Sequence, residues 1–312
     1  MKTRLFNFAQ NFINHFYRYP KSNYHRLKRF GGYVAYWKML YGKKQMENAS
    51  LSLPPVQSFT DGLPIYFLTG QKYLYQTLFC IASIKRYTTE HFNFILVDDG
   101  TFDERLIIQI AHQLPGCQIV LQKEIERILE DKLPSHRFPY LNQKRKIYPH
   151  LKKLTDIHTL SGGNFKLVLD SDMLFWNYPD EIISWLKNPS GCLYMLDSDN
   201  SYGYTRGLME DLAGVVIPDL VNVGVIGIES STIDWEQLEL WCKTLEDIEG
   251  SSYFLEQALS AMIIANQQKT ILSKKDYVVN PKLGSEASVK LFHYVDLSKK
   301  QYFEHDWRRS II

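Results

Sequence analysis

The chain has 312 residues, of which 45% are hydrophobic and 22% charged, with a net charge of +2. That balance describes a globular chain long enough to bury a large core, and it excludes a disordered or low-complexity protein. Four scattered cysteines with no CxxC pair exclude a zinc module or a disulfide frame, and no apolar run reaches the roughly 18 residues of a membrane span. With no signal-peptide core at the N-terminus either, the protein is expected to stay in the cytoplasm.

The charge is unevenly spread. Residues 1–44 hold ten Lys or Arg and no acid, which leaves −8 on the rest of the chain. Phe6, Phe8, Phe12, Phe16, Tyr17, Tyr33, Tyr36 and Trp37 interleave with these bases. Two readings fit: an interfacial helix on an anionic membrane, which would make the protein peripheral on the inner face, or a helical extension packed on the main domain. A nucleic-acid arm is disfavoured, because no recognition module follows. Asn48 to Asp61 is rich in Ser and Pro and reads as a linker, so residues 1–60 form an extension and 61–312 the main domain.

Ile65–Leu68 is the first strand expected. Thr69-Gly70 turns into a helix with Leu74, Leu78, Ile81 and Lys85 on one face. Neither GxGxxG nor GxxxxGK[ST] is present, which argues against dinucleotide and P-loop folds. Phe94–Val97 is the second strand and ends in Asp98, where a carboxylate can meet a ribose or base. A helix over Phe102–Gln113 and a short strand at Gln118–Leu121 follow. Lys144 to Lys153 is a basic helix-like run, one or two of whose bases could face a diphosphate.

The centre of the chain is Phe165–Trp176, where an apolar strand runs into Asp170-Ser171-Asp172 and a second apolar run. A strand of this kind is buried on both faces, and its carboxyl end opens onto the ligand crevice of an α/β sheet. Two carboxylates one residue apart repel unless a cation sits between them, and a divalent ion serves best. Pro179, Asp180 and Glu181 open the next helix. Cys192–Leu196 is a further strand, followed by a second acidic triplet, Asp197-Ser198-Asp199. This triplet lines an acceptor pocket or forms a turn, and it is the rival for the metal; Asp199 is taken as a candidate catalytic residue. Val221–Ile228 is an apolar strand holding Asn222 and Gly224. Asp234–Leu245 and Tyr253–Asn266 are helical by periodicity. His293 ends a short apolar run, with Lys299 six residues later. Two Asp, a His and a Lys suit a divalent cation holding a diphosphate. Manganese fits the carboxylate–imidazole mixture better than calcium, and magnesium is the alternative.

From about Leu63 to Lys299 the chain resembles nucleotide-sugar glycosyltransferases of the GT-A fold, most of all glycosyltransferase family 8. The resemblance rests on Asp170-Ser171-Asp172 after a strand, Asn222-Val223-Gly224, Glu256-Gln257, and the spacing of His293 to Lys299. It implies a Rossmann-like mixed, mostly parallel sheet flanked by helices, and transfer of a sugar from a nucleotide-diphosphate donor (a UDP-sugar) to a glycan or lipid-linked acceptor. It also implies that Asp170, Asp172 and His293 hold manganese while Lys299 grips the diphosphate. Thr69 and Asp98 would contact the nucleotide, Asn222 the substrate, Lys153 the sugar-phosphate side, and Gln257 the reacting sugar. Asp296 stands where the family has glycine, Lys300-Gln301 where it has Pro-Trp, and Glu256 where it has Asp. The rivals are a phosphohydrolase using Asp-x-Asp as nucleophile and acid, and an inactive sugar-nucleotide binder.

Overall fold

Strand β4 (Phe165–Leu169) runs through the middle of the molecule, and the other elements assemble around it. The computed structural model describes residues 27–282, 284 and 288–310. The part of the basic N-terminal segment before residue 27 therefore lies outside the described residues. Of the segment's remainder, Tyr33–Ser50 is one helix, α1.

The main sheet has seven strands in the order β3-β2-β1-β4-β7-β6-β8. Its members are β1 (Leu63–Thr69), β2 (Phe92–Asp98), β3 (Gln118–Val120), β4, β6 (Cys192–Leu196), β7 (Val221–Glu229) and β8 (Lys269–Leu272). Neighbours pair in parallel except at β7, which runs against both β4 and β6. Strand order reverses between β1 and β4, so the crevice at their carboxyl ends is the expected ligand position. A small second sheet joins β5 (Met173–Phe175), β10 (Leu291–His293) and β9 (Tyr277–Val279). It brings the tail of the chain back to the residues just past Asp172, with Met173 opposite His293.

The alternation of β4 shows why it is buried on both faces. Leu167 and Leu169 join one core with α1, helix α2 (Leu74–Arg86) and the small sheet, while Val168 joins the other. That second core holds Leu238, Trp241 and Leu245 of one long helix and Leu255, Ala258 and Leu259 of the next.

Two expectations need correction. Residues 48–61 are not a free linker, since α1 runs to Ser50 and the main chain beyond it is pinned to the domain. Val56 N donates to Gln113 O at 2.8 Å and Phe59 N to Phe92 O at 2.8 Å, while Leu53 and Ser58 are buried. The basic run 144–153 is not one solvated helix either. The helix ends at Ile147, a Pro149 turn follows, and Lys153–Ile157 is a π-helical turn. Arg145 is spent inside on Asp156, at 2.5 and 2.7 Å. Among the described residues, no helix is long and apolar enough to cross a membrane.

Candidate active site

Asp170 and Asp172 leave the end of β4 held by main-chain bonds on both sides. Asp170 N donates to Gly224 O at 2.8 Å, and Tyr294 N donates to Asp172 O at 2.9 Å. Between them Ser171 turns inward, its hydroxyl 2.8 Å from Thr77, which in turn lies 2.8 Å from Thr69. Thr69 is fully buried. The structure gives it the work of bracing the Asp-Ser-Asp turn, with no hydroxyl facing the crevice.

The two carboxylates are arranged alike. Asp170 Oδ1 accepts from Lys153 at 3.0 Å, and its Oδ2 stands 3.6 Å from His293 Nε2. Asp172 Oδ2 accepts from Lys299, and its Oδ1 stands 3.3 Å from the same nitrogen. Each aspartate thus gives one oxygen to a lysine and turns the other toward the imidazole. Asp170, Asp172 and His293 offer ligand atoms all within 4.8 Å of one another, and among the described residues they are the one group of three or more that could hold a metal. Two hard oxygens and an imidazole nitrogen are a donor set that fits manganese, and magnesium less well.

The Asn-x-Gly motif explains itself here. Asn222 Oδ1 accepts from Gly224 N at 2.9 Å and faces His293 Nδ1 at 3.1 Å. A Cβ on Gly224 would lie 2.6 Å from both His293 Nδ1 and the Met173 methyl, so only glycine leaves room for the ring. Asn222 Nδ2 donates to Asp197 at 3.0 Å, and Gln257 Nε2 donates to the same carboxylate oxygen at 3.1 Å. The second acidic triplet therefore enters the site through Asp197, whereas Asp199 is exposed and takes a bond from its neighbour Ser198.

Charge is balanced by burial and pairing. Burial opposes ionisation of Asp172, yet Lys299 and His293 hold its carboxyl well below the usual range. Burial likewise works against the charge of Lys153, but Asp170 and Glu256 keep its pKa above the ordinary lysine value. Glu256, 3.4 Å from Lys153, is pushed up to about 7 by burial against the pull of that lysine.

Asp98 is also turned inward. Its Oδ1 accepts from the amides of Gly100, Thr101 and Phe102, and its Oδ2 from Gln122 N. It shapes the turn after β2 and leaves Asp99, packed against Gly70, as the partly exposed acid of the pair. Tyr73 and Tyr253, both well exposed, feel the charges of Asp170 and Asp172 and flank them from the α2 side and from the segment before Glu256. Sequence reasoning named the triplet of Asp197 but singled out Asp199 from it, and it passed over the inward role of Ser171 and both tyrosines. For the tyrosines, the placement of Tyr253 just ahead of Glu256-Gln257 was the signal there to use.

No protein-family model and no curated protein matches the chain. Solved structures do. The galactosyltransferase LgtC, in complex with donor and acceptor sugar analogues, superposes with a TM-score of 0.52 at 14% identity, covering 80% of this chain and 94% of its own. Mouse xyloside xylosyltransferase 1, in its apo form, gives 0.50 at 14% identity, covering 76% and 97%. At such identities the likeness establishes the architecture, and the architecture is GT-A.

Proposed function

We propose that this protein is a glycosyltransferase that uses a divalent cation, preferably manganese, to move a sugar from a nucleoside-diphosphate donor. The uridine form is the first donor to test, and the acceptor is a glycan or lipid-linked sugar of a cell-surface polysaccharide. One observation carries the reading: Asp170 Oδ2, Asp172 Oδ1 and His293 Nε2 converge at the carboxyl end of β4, with Lys153 and Lys299 on the outer carboxylate oxygens.

The cation, when bound, would neutralise charge growing on the departing diphosphate. The chain's own groups do the rest. Lys299 has three N–H donors and spends one on Asp172, so it can turn another to a phosphate oxygen and stabilise the same charge. Lys153 fixes Asp170 and adds positive charge on the sugar-phosphate side. Asn222 acts through His293, holding its ring in place. Gln257 and Asp197 offer polar contacts to the reacting sugar, while Tyr73 offers a ring to the base. The two lysines and a divalent ion against Asp170 and Asp172 leave a positive site, which suits a diphosphate.

The N-terminal segment extends this reading to a peripheral position on an anionic membrane face. The outward side of α1 carries Tyr33, Val34, Trp37 and Tyr41 with Lys44, a mixture suited to lipid headgroups.

The test is thermal stabilisation by a panel of nucleotide sugars with and without manganese, followed by turnover. A matched donor at a hundred times its Kd should stabilise by about 2.7 kcal/mol, and only with the cation present. Stabilisation by none of them, or hydrolysis of a simple phosphomonoester instead, overturns the reading.

A further inference from the structure

Helix α1 lies outside the segment that carries the site residues, yet its inner face leads to one of them. Met39, Gly42 and Met46 form that buried face. Gly42 sits against the main chain of Phe303: a Cβ there would lie 2.9 Å from the Phe303 carbonyl carbon, 3.4 Å from Glu304 Cα, and closer still to the carbonyl oxygen. The rings of Tyr302 and Phe303 lie 5.6 and 5.9 Å from the Lys299 ammonium, which donates to Asp172. Gly42, Phe303, Lys299 and Asp172 are thus a continuous line of contacts.

Two ion pairs flank that line. Lys38 Nζ is 3.3 Å from Oε2 of Glu304, whose side chain is only 4% exposed. Arg29 pairs with Asp296, halfway along the loop from His293 to Lys299. Asp296 has φ 48°, a left-handed conformation that most residues avoid and that aspartate adopts more readily than they do. The Arg29 pair is exposed and weak by itself. The close Gly42 contact and the nearly buried Glu304 are the stronger ties.

We infer that α1 is a positioning element of the donor site, holding Tyr302–Glu304 and through it Lys299 where the ammonium reaches a diphosphate. The inference rests on the reading of Lys299 given above. Gly42→Ala separates it from plain stability, because alanine strengthens the helix itself while pushing it off Phe303. Lys38→Met, which takes the cation from Glu304, is the second variant should the first not fold.

The measurement is calorimetry of UDP with manganese, and of manganese alone, on the full chain. Lys299→Ala should weaken UDP about tenfold. Gly42→Ala or Lys38→Met should weaken UDP at least threefold while leaving affinity for manganese alone within twofold. Added to Lys299→Ala, either should cost nothing more, since both act through one ammonium. Unchanged UDP affinity in Lys299→Ala sinks the reading of Lys299 and this inference with it. A normal Lys299→Ala loss with no loss, or a fully additive loss, in the helix variants sinks the inference alone.

Discussion

His293 Nδ1 faces Asn222 Oδ1 at 3.1 Å, and the asparagine cannot present its nitrogen there instead. Gly224 N–H already donates to that oxygen, and the amide nitrogen donates to Asp197. Nδ1 must therefore keep its hydrogen, which makes Nε2 the nitrogen able to offer a lone pair to a cation beside Asp170 and Asp172. Asn222→Leu removes the acceptor and frees the ring. Manganese affinity should fall on the order of 10- to 100-fold by calorimetry at constant pH. An unchanged affinity would mean that the imidazole needs no such anchor.

The two acidic triplets make opposite predictions. Asp172→Asn takes a ligand oxygen's charge from the pocket, and manganese-dependent turnover should disappear while the unfolding midpoint stays near the parent's. Asp199→Asn touches an exposed side chain and should leave turnover within about twofold, as surface changes usually do. Donor hydrolysis assayed on both variants decides the matter, and a reversed ranking would give the metal to the second triplet.

Acid stability should report on His158, which is remote from the proposed metal ligands. The ring is buried, with Nδ1 2.9 Å from Ser230 Oγ; burial first and then the Lys166 charge push its pKa down to about 3 from 6.5. The unfolded chain takes up this proton below pH 6.5, while the folded one resists until about 3. The stability contributed by the neutral ring is therefore complete above pH 6.5 and is lost as pH falls through that window, at up to about 1.4 kcal/mol per unit. His158→Gln should flatten the fall of the unfolding midpoint between pH 6.5 and 4. Equal slopes would show that the imidazole protonates as freely in the fold as in water.

Membrane docking can be tested without damaging the domain. A chain beginning at Leu27 keeps α1 and serves as the reference. One beginning at Leu51 loses the Met39, Gly42 and Met46 face and should unfold earlier. In co-sedimentation with anionic vesicles at low salt, Trp37→Ser with Tyr41→Ser should bind less than the parent, and high salt should release both. Identical sedimentation of variant and parent would leave the aromatic face with no part in docking.

The cluster of Asp170, Asp172 and His293 was legible in the sequence because chemistry and position coincided there. An apolar strand ending in Asp-x-Asp can put carboxylates only at the crevice, and His293 stands at the end of its own short apolar run. The phase of the second triplet was not legible, since which of Asp197 and Asp199 points inward depends on a main-chain bond from Asp197 N to Leu220 O. The direction of the Thr69 and Asp98 side chains was not legible for a related reason. Polar residues at strand ends look like ligand contacts, but here a buried hydroxyl chain and four backbone amides use them up. Strands β5, β9 and β10 have three residues each, too short for any period to show. The seat of α1 could not be read at all, because Gly42 announces a close approach without naming Phe303 as its partner.

That seat has a consequence for how the protein comes into being. Ribosomes add about 5–20 residues per second, so α1 emerges tens of seconds before Phe303 exists for Gly42 to meet. During that interval Met39 and Met46 have only the part of their core that α2 supplies, on a segment already rich in bases and rings. The first apolar or anionic surface within reach, whether chaperone or lipid, competes for the helix against a docking place not yet complete. Slowing translation late in the message should lengthen that competition, and with it the share of chains whose first helix is captured elsewhere.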